Sequence, residues 1–140
     1  MPDAPIQAPR PRTDLDERRL AVVTEHVAAE NERDVDRAMA TFLRPRYEIV
    51  PTGDVFDGEA AVRDMLVQQW RDLPPVTYEA LAVYFADHGL MVETRTVGTR
   101  SDGHAIDMTS VNFFGFDGDG LVLERCFFDQ VTVGRELYGV

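Results

Sequence analysis

VTYEALAVYFAD (76–87), HG, LMVETRTVGTR (90–100), SDG, HAIDMTSVNFFGF (104–116), DGDG, LVLERCFFDQVTV (121–133): this stretch decides the fold. It holds four segments rich in Val, Thr, Phe, Tyr and Ile, divided by connections of two to four residues that each contain glycine. Connections this short between β-prone runs predict antiparallel hairpins. Side chains alternate across a strand, so each segment offers two faces. One assignment puts Met91, Glu93, Arg95 and Val97 inward, with Ile106, Met108, Asn112 and Phe114, and with Leu121, Leu123, Arg125, Phe127 and Asp129. Each set mixes large apolar side chains with a few polar ones, which suits a small-molecule cavity better than a plain core. The opposite faces also carry apolar groups, including Cys126. A sheet apolar on both sides needs a cover, most simply a second copy of the chain.

Upstream, the periodicity changes from two to about 3.6. Thr13 is a candidate N-cap, followed by Asp14, Asp16 and Glu17 where a helix dipole favours acids. Leu15, Val22, Val23, Val27 and Ala28 recur at helical spacing and predict a helix to about Asn31. Asp34 caps a second helix carrying Val35, Ala38, Met39 and Phe42, with Pro45 as its stop. Residues 47–51 read as a short strand, 52–54 as a turn and 55–56 as an extended return. A third helix opens at Gly58-Glu59, turns Val62, Leu66 and Trp70 inward, and ends at Pro74-Pro75. Helices first and strands later is an α+β order. Residues 1–12 hold four of the eight prolines and one large aliphatic residue, so the reading is a loosely attached arm (1–12) and a single domain (13–140).

The chain has 140 residues, 44% apolar and 28% charged, with a net charge of −11. All fourteen basic residues are arginine. So acidic a balance argues against nucleic acid and against anionic membrane surfaces, whose binders present a basic face. No apolar run reaches the roughly 18 residues of a membrane span, and no signal peptide opens the chain, so the expected location is cytoplasmic. The single cysteine, Cys126, excludes an intrachain disulfide framework. Three histidines without HxH or HxxxH spacing predict no metal site.

The run Val23-Thr24-Glu25-His26-Val27-Ala28-Ala29-Glu30-Asn31-Glu32-Arg33-Asp34-Val35-Asp36, then Ala40-Thr41-Phe42, resembles the opening of the nuclear-transport-factor-2-like superfamily. Val50-Pro51-Thr52-Gly53, Phe56-Asp57-Gly58-Glu59-Ala60-Ala61-Val62-Arg63 and the segment from Gly118 to Asp129 resemble its later landmarks. The resemblance covers about residues 15–138 and is nearest to the SnoaL-like polyketide cyclase and ketosteroid-isomerase-like branch. It implies a curved antiparallel sheet wrapped into a cone and closed by three N-terminal helices, a cystatin-like α+β roll. It also implies a ligand cavity inside, a homodimer across the outer sheet face, and acid–base chemistry without cofactor or metal.

Carried over residue by residue, the isomerase-like pattern meets His26 in place of its Tyr donor. Val50 (or Ile49) replaces its Asp base, and Asn112 replaces its protonated Asp. Of the set used by limonene-epoxide-hydrolase-like enzymes, Tyr47, Arg95 and Asp129 match, while Ile49 and Val97 depart. The acid–base Asp of SnoaL-like cyclases corresponds to Asp129. The expected catalytic set is therefore Asp129 as acid or base, Arg95 as its partner or an oxyanion holder, and His26 as a second proton-transfer group. Tyr47, Trp70, Glu93, Met108, Asn112 and Phe127 are expected to line the site of a small, apolar or polycyclic molecule. The reaction expected is of the cyclase, isomerase, dehydratase or hydrolase type. The alternative is a ligand-binding or dimerisation protein without the chemistry.

Overall fold

The computed structural model describes residues 10–140. Most of the expected arm, residues 1–9, lies outside the described residues. Its last residues are fastened to the domain: Arg10 forks onto Asp16 at 2.6 and 3.1 Å, and Arg12 lies 4.7 Å over the Phe85 ring. The first helix, α1 (Asp14–Asn31), opens on a capping box in which Thr13 and Asp16 satisfy each other's backbone N–H groups. Helices α2 (Val35–Ala40) and α3 (Glu59–Asp72) follow where the periodicity predicts them, with Asp34 capping α2 through the Arg37 N–H.

Six strands form one curved, unclosed sheet: β1 (Arg46–Ile49), β2 (Asp54–Asp57), β3 (Val76–Ala86), β4 (Gly89–Thr99), β5 (Ala105–Asp117) and β6 (Gly120–Phe127). Their order is β2-β1-β6-β5-β4-β3. All neighbours are antiparallel except β1 and β6, which run parallel, so the first and last strands meet at mid-sheet. Glycine is required where β3 turns into β4, because a Cβ on Gly89 would sit 1.9 Å from the Phe114 carbonyl oxygen. α1, α2 and α3 cover the concave face. One apolar cluster joins Val23 to Leu90, Val92, Phe114 and Leu121, and a second joins Ala29, Ala38 and Met39 to Tyr47, Val62 and Leu66.

The register corrects the expected faces. β4 pairs with β5 from Thr99 opposite Ala105 to Leu90 opposite Phe114, so even positions meet even positions. Opposed residues share a face. Leu90, Val92, Thr94 and Thr96 therefore point inward, and Glu93 and Arg95 point outward. Between β5 and β6, Phe116 pairs with Leu121 but Gly115 pairs with Leu123. That bulge skips Val122 and reverses the alternation. Glu124 and Cys126 turn inward, while Leu123, Arg125 and Phe127 turn outward. The last strand also stops at Phe127, short of the expected Val133. Asp129 then caps a helical turn, α4 (Gln130–Val133), which continues as a π-helical turn over Gly134–Tyr138.

Candidate functional site

α1 places His26 and Glu30 one turn apart on the same face. β1 and β6, paired in parallel, set Tyr47 directly beside Glu124. β5 adds Asn112. These five side chains converge between the two apolar clusters. His26 is fully buried, and its ring meets the edges of Phe42 and Phe114 with centroids 5.2 and 5.9 Å away.

The hydrogen bonds fix the protons. The Thr41 hydroxyl donates to the Ala38 carbonyl at 2.6 Å, so its oxygen accepts from His26 Nδ1–H at 2.8 Å. His26 Nε2 then faces Glu30 Oε1 at 2.6 Å, Glu124 Oε2 at 3.1 Å and the Tyr47 hydroxyl at 2.9 Å. Tyr47 donates to Glu30 Oε1 at 2.6 Å, and Asn112 Nδ2 donates to Glu124 Oε1 at 3.1 Å. Thr94 donates to Asn112 Oδ1 at 3.3 Å and so orients that amide.

Burial opposes a charge on His26, but the two carboxylates outweigh it and push the imidazole up to about 10. Burial likewise raises Glu30, yet its contacts with His26 and Tyr47 prevail and hold it below the ordinary glutamate value. Glu124 goes the other way, raised by burial and by the charge of Glu30. Burial and both carboxylates push the Tyr47 phenol well up. The resting arrangement is an imidazolium clamped to the Glu30 carboxylate, with Glu124 the carboxyl that most readily keeps a proton.

His26 is buried behind Glu30, and Glu30 reaches a narrow cleft. The cleft lies between the end of α1, the end of α3 and the start of β3, lined by Glu30, Arg33, Gln69, Trp70, Leu73, Val76 and Tyr78. Its accessible volume is about 10 Å³, room for a single water.

Of the residues expected from sequence, His26, Tyr47 and Asn112 come together, and Trp70 lines the adjoining cleft. Met108 lies on the inner face opposite Thr96, outside the cleft lining. Arg95, Glu93 and Phe127 stand on the outer face. Arg95 is tied bidentately to Asp107 at 2.9 and 2.8 Å. The expected burial of Asp129 is corrected too. It is exposed, accepts from the Val131 N–H at 3.0 Å and the Thr132 hydroxyl at 2.7 Å, and is held below its ordinary value by those bonds. Glu30 and Glu124 were missed. The His26-x-x-x-Glu30 spacing would have found the first, whereas the bulge hid the second.

His26 Nε2 and one oxygen from each of Glu30 and Glu124 all lie within 4.8 Å of one another, a group able to hold a metal ion. A histidine-only spacing search overlooks it. The 2.6 Å separation of Nε2 from Glu30 Oε1 is that of a direct charge-assisted hydrogen bond. Bonds of about 2.0–2.1 Å to one zinc ion would push such ligand atoms to roughly 3 Å or more apart. As they stand, the side chains fit a shared proton better than a shared cation.

The chain belongs to the SnoaL-like domain family, whose model matches residues 23–125. No curated protein matches it. Among solved structures, it is similar to SalBIII, an epoxide hydrolase/cyclase-like enzyme in pyran ring formation of the polyether salinomycin. The two are 22% identical with a TM-score of 0.71, over 84% of this chain and 96% of that one. An NTF2-like protein from Burkholderia pseudomallei K96243 is 16% identical with a TM-score of 0.76, over 86% and 98%. TerC, co-crystallised with polyporic acid, is 12% identical with a TM-score of 0.75, over 85% and 97%. At these identities the likeness establishes the nuclear-transport-factor-2-like fold. Among the described residues, no helix is long and apolar enough to cross a membrane.

Proposed function

We propose that the chain is a cofactor-independent acid–base enzyme of the cyclase, isomerase, dehydratase or hydrolase type. Its substrate is a small, largely apolar molecule that enters the cleft beside Trp70 and Tyr78. One observation carries the reading: Glu30 is held by His26 and Tyr47 through Oε1 and also lines the cleft. Both of those contacts use one oxygen, and Oε2 is used by neither. Glu30 is thus the group that exchanges a proton with substrate. His26 and Tyr47 fix its charge, and Glu124 supplies a second proton-holding group behind it. The buried surroundings strengthen each of these interactions relative to water. Asp129 and Arg95, exposed and satisfied elsewhere, have no part in this arrangement.

Turnover of enolisable polycyclic and epoxide substrates tests the proposal. Glu30→Gln keeps the shape and removes the base, and is expected to lower kcat by about 10²–10⁴-fold with binding retained. Unchanged turnover in that variant would remove Glu30 from the chemistry. A second reading, a dimerisation protein without the chemistry, is favoured by the filled interior: Phe114 is buried in the apolar cluster inside the sheet, and the cleft at Glu30 holds only about 10 Å³. Neither binding nor turnover across the same panel would select it.

A further inference from the structure

Arg33 breaks a local rule. It follows the C-cap of α1 with a φ of 54°, the left-handed conformation that glycine usually takes there. The Arg33 N–H bonds the Glu30 carbonyl and the Asp34 N–H bonds the Ala29 carbonyl, which completes a Schellman motif with an arginine in the glycine position. A Cβ disfavours this left-handed conformation, so an arginine is held there against a local cost. Its side chain bears on the neighbouring cleft.

The guanidinium closes over that cleft. Nη1 donates to the Trp70 carbonyl at 2.7 Å, and Nη2 donates to the carbonyls of Pro74 at 2.9 Å and Leu73 at 3.4 Å. Among the described residues no carboxylate lies within ion-pair distance of Arg33, in a chain with 25 acids. The nearby acids are engaged: Glu32 with Arg37, Asp34 with the Arg37 N–H, and Glu30 with His26 and Tyr47. The cation that lines the cleft therefore holds only neutral carbonyls, all on the α3 end and the loop after it.

We propose that the cleft takes an apolar, ring-containing molecule bearing a carboxylate, and that Arg33 pairs with this carboxylate by releasing the α3 carbonyls. The inference rests on the cleft being the binding site proposed above. A carboxylate adds the attraction of opposite charges to the guanidinium's hydrogen bonds, and the guanidinium fork matches it in two places. Exchanging the carbonyls for a carboxylate thus favours binding, and it unlatches the Leu73–Pro74 segment from α1. That release gives the ligand the space the closed cleft lacks. The anion sits at Arg33, and the apolar body lies against Trp70 and Tyr78, within reach of Glu30.

Trp70 is the only tryptophan, so its fluorescence reports on the cleft directly. The test titrates 1-naphthoate and the neutral 1-naphthalenemethanol into the full chain at neutral pH. The wild type is expected to prefer naphthoate by roughly tenfold or more. Arg33→Gly removes the fork, and glycine suits the left-handed backbone at this position. It should bring the two affinities together, abolishing the preference for the anion. Arg33→Lys keeps a point charge and should retain part of the preference. Equal affinities in the wild type, or a preference that survives in Arg33→Gly, would overturn the anion assignment while leaving the cleft as a binding site. Failure of both compounds to change Trp70 fluorescence would overturn the cleft reading and this inference together.

Discussion

His26 has two carboxylates against one nitrogen and a hydroxyl oxygen against the other. Raised from 6.5 to about 10, it is charged through the neutral range. A raised histidine contributes its stabilisation in full below its unfolded value and loses it as the pH climbs through the folded one. Thermal unfolding midpoints should therefore fall between about pH 7 and 10, and His26→Gln should be less stable at neutral pH and change less over that window. A proton-resolved titration of the His26 ring checks the cause, because Glu124→Gln should lower its midpoint. This residue was legible from its place on an apolar helix face, but its partners were not. Glu30 read as one acid among many on an acidic helix, although four residues from His26. Glu124 is flanked in sequence by Leu123 and Arg125, and nothing local marks it as inward-facing.

Elements explain why. Alternation along a strand is readable, but its phase depends on which residues its neighbours oppose. The connection between Thr99 and Ala105 sets even against even, and this carries Arg95 and Glu93 to the outside. The skipped Val122 does the same to Phe127 and brings Glu124 in. Helices α1, α2 and α3 were predictable because their caps and stops are local: Thr13 with Asp16, Asp34, and Pro45 or Pro74. Asp129 belongs to this scale as well. As the cap of α4, its replacement by Ala should lower the unfolding midpoint. It should leave turnover as it is, which parallel denaturation and activity measurements would show.

The whole molecule keeps its helices on one side of the sheet and leaves large apolar side chains exposed among charged ones on the other. Leu81, Tyr84 and Met91 are 52, 56 and 40% exposed in the single chain. Tyr84 and Met91 are paired neighbours on this outer face. We propose that a second copy covers it, as the family resemblance implies. Sedimentation should show a dimer, and Met91→Arg should shift it towards monomer while the helix content holds. The order of the strands has a further consequence, for folding. His26 and Glu124 are 98 residues apart, and they meet only because β6 slots in beside β1. During synthesis the first helices and β1 emerge long before their central strand. Until β6 arrives, the α1 face that carries His26 and Glu30 stays wet. The buried cluster around His26 is thus among the last parts to close, and its amides should be protected late in a pulse-labelling refolding experiment.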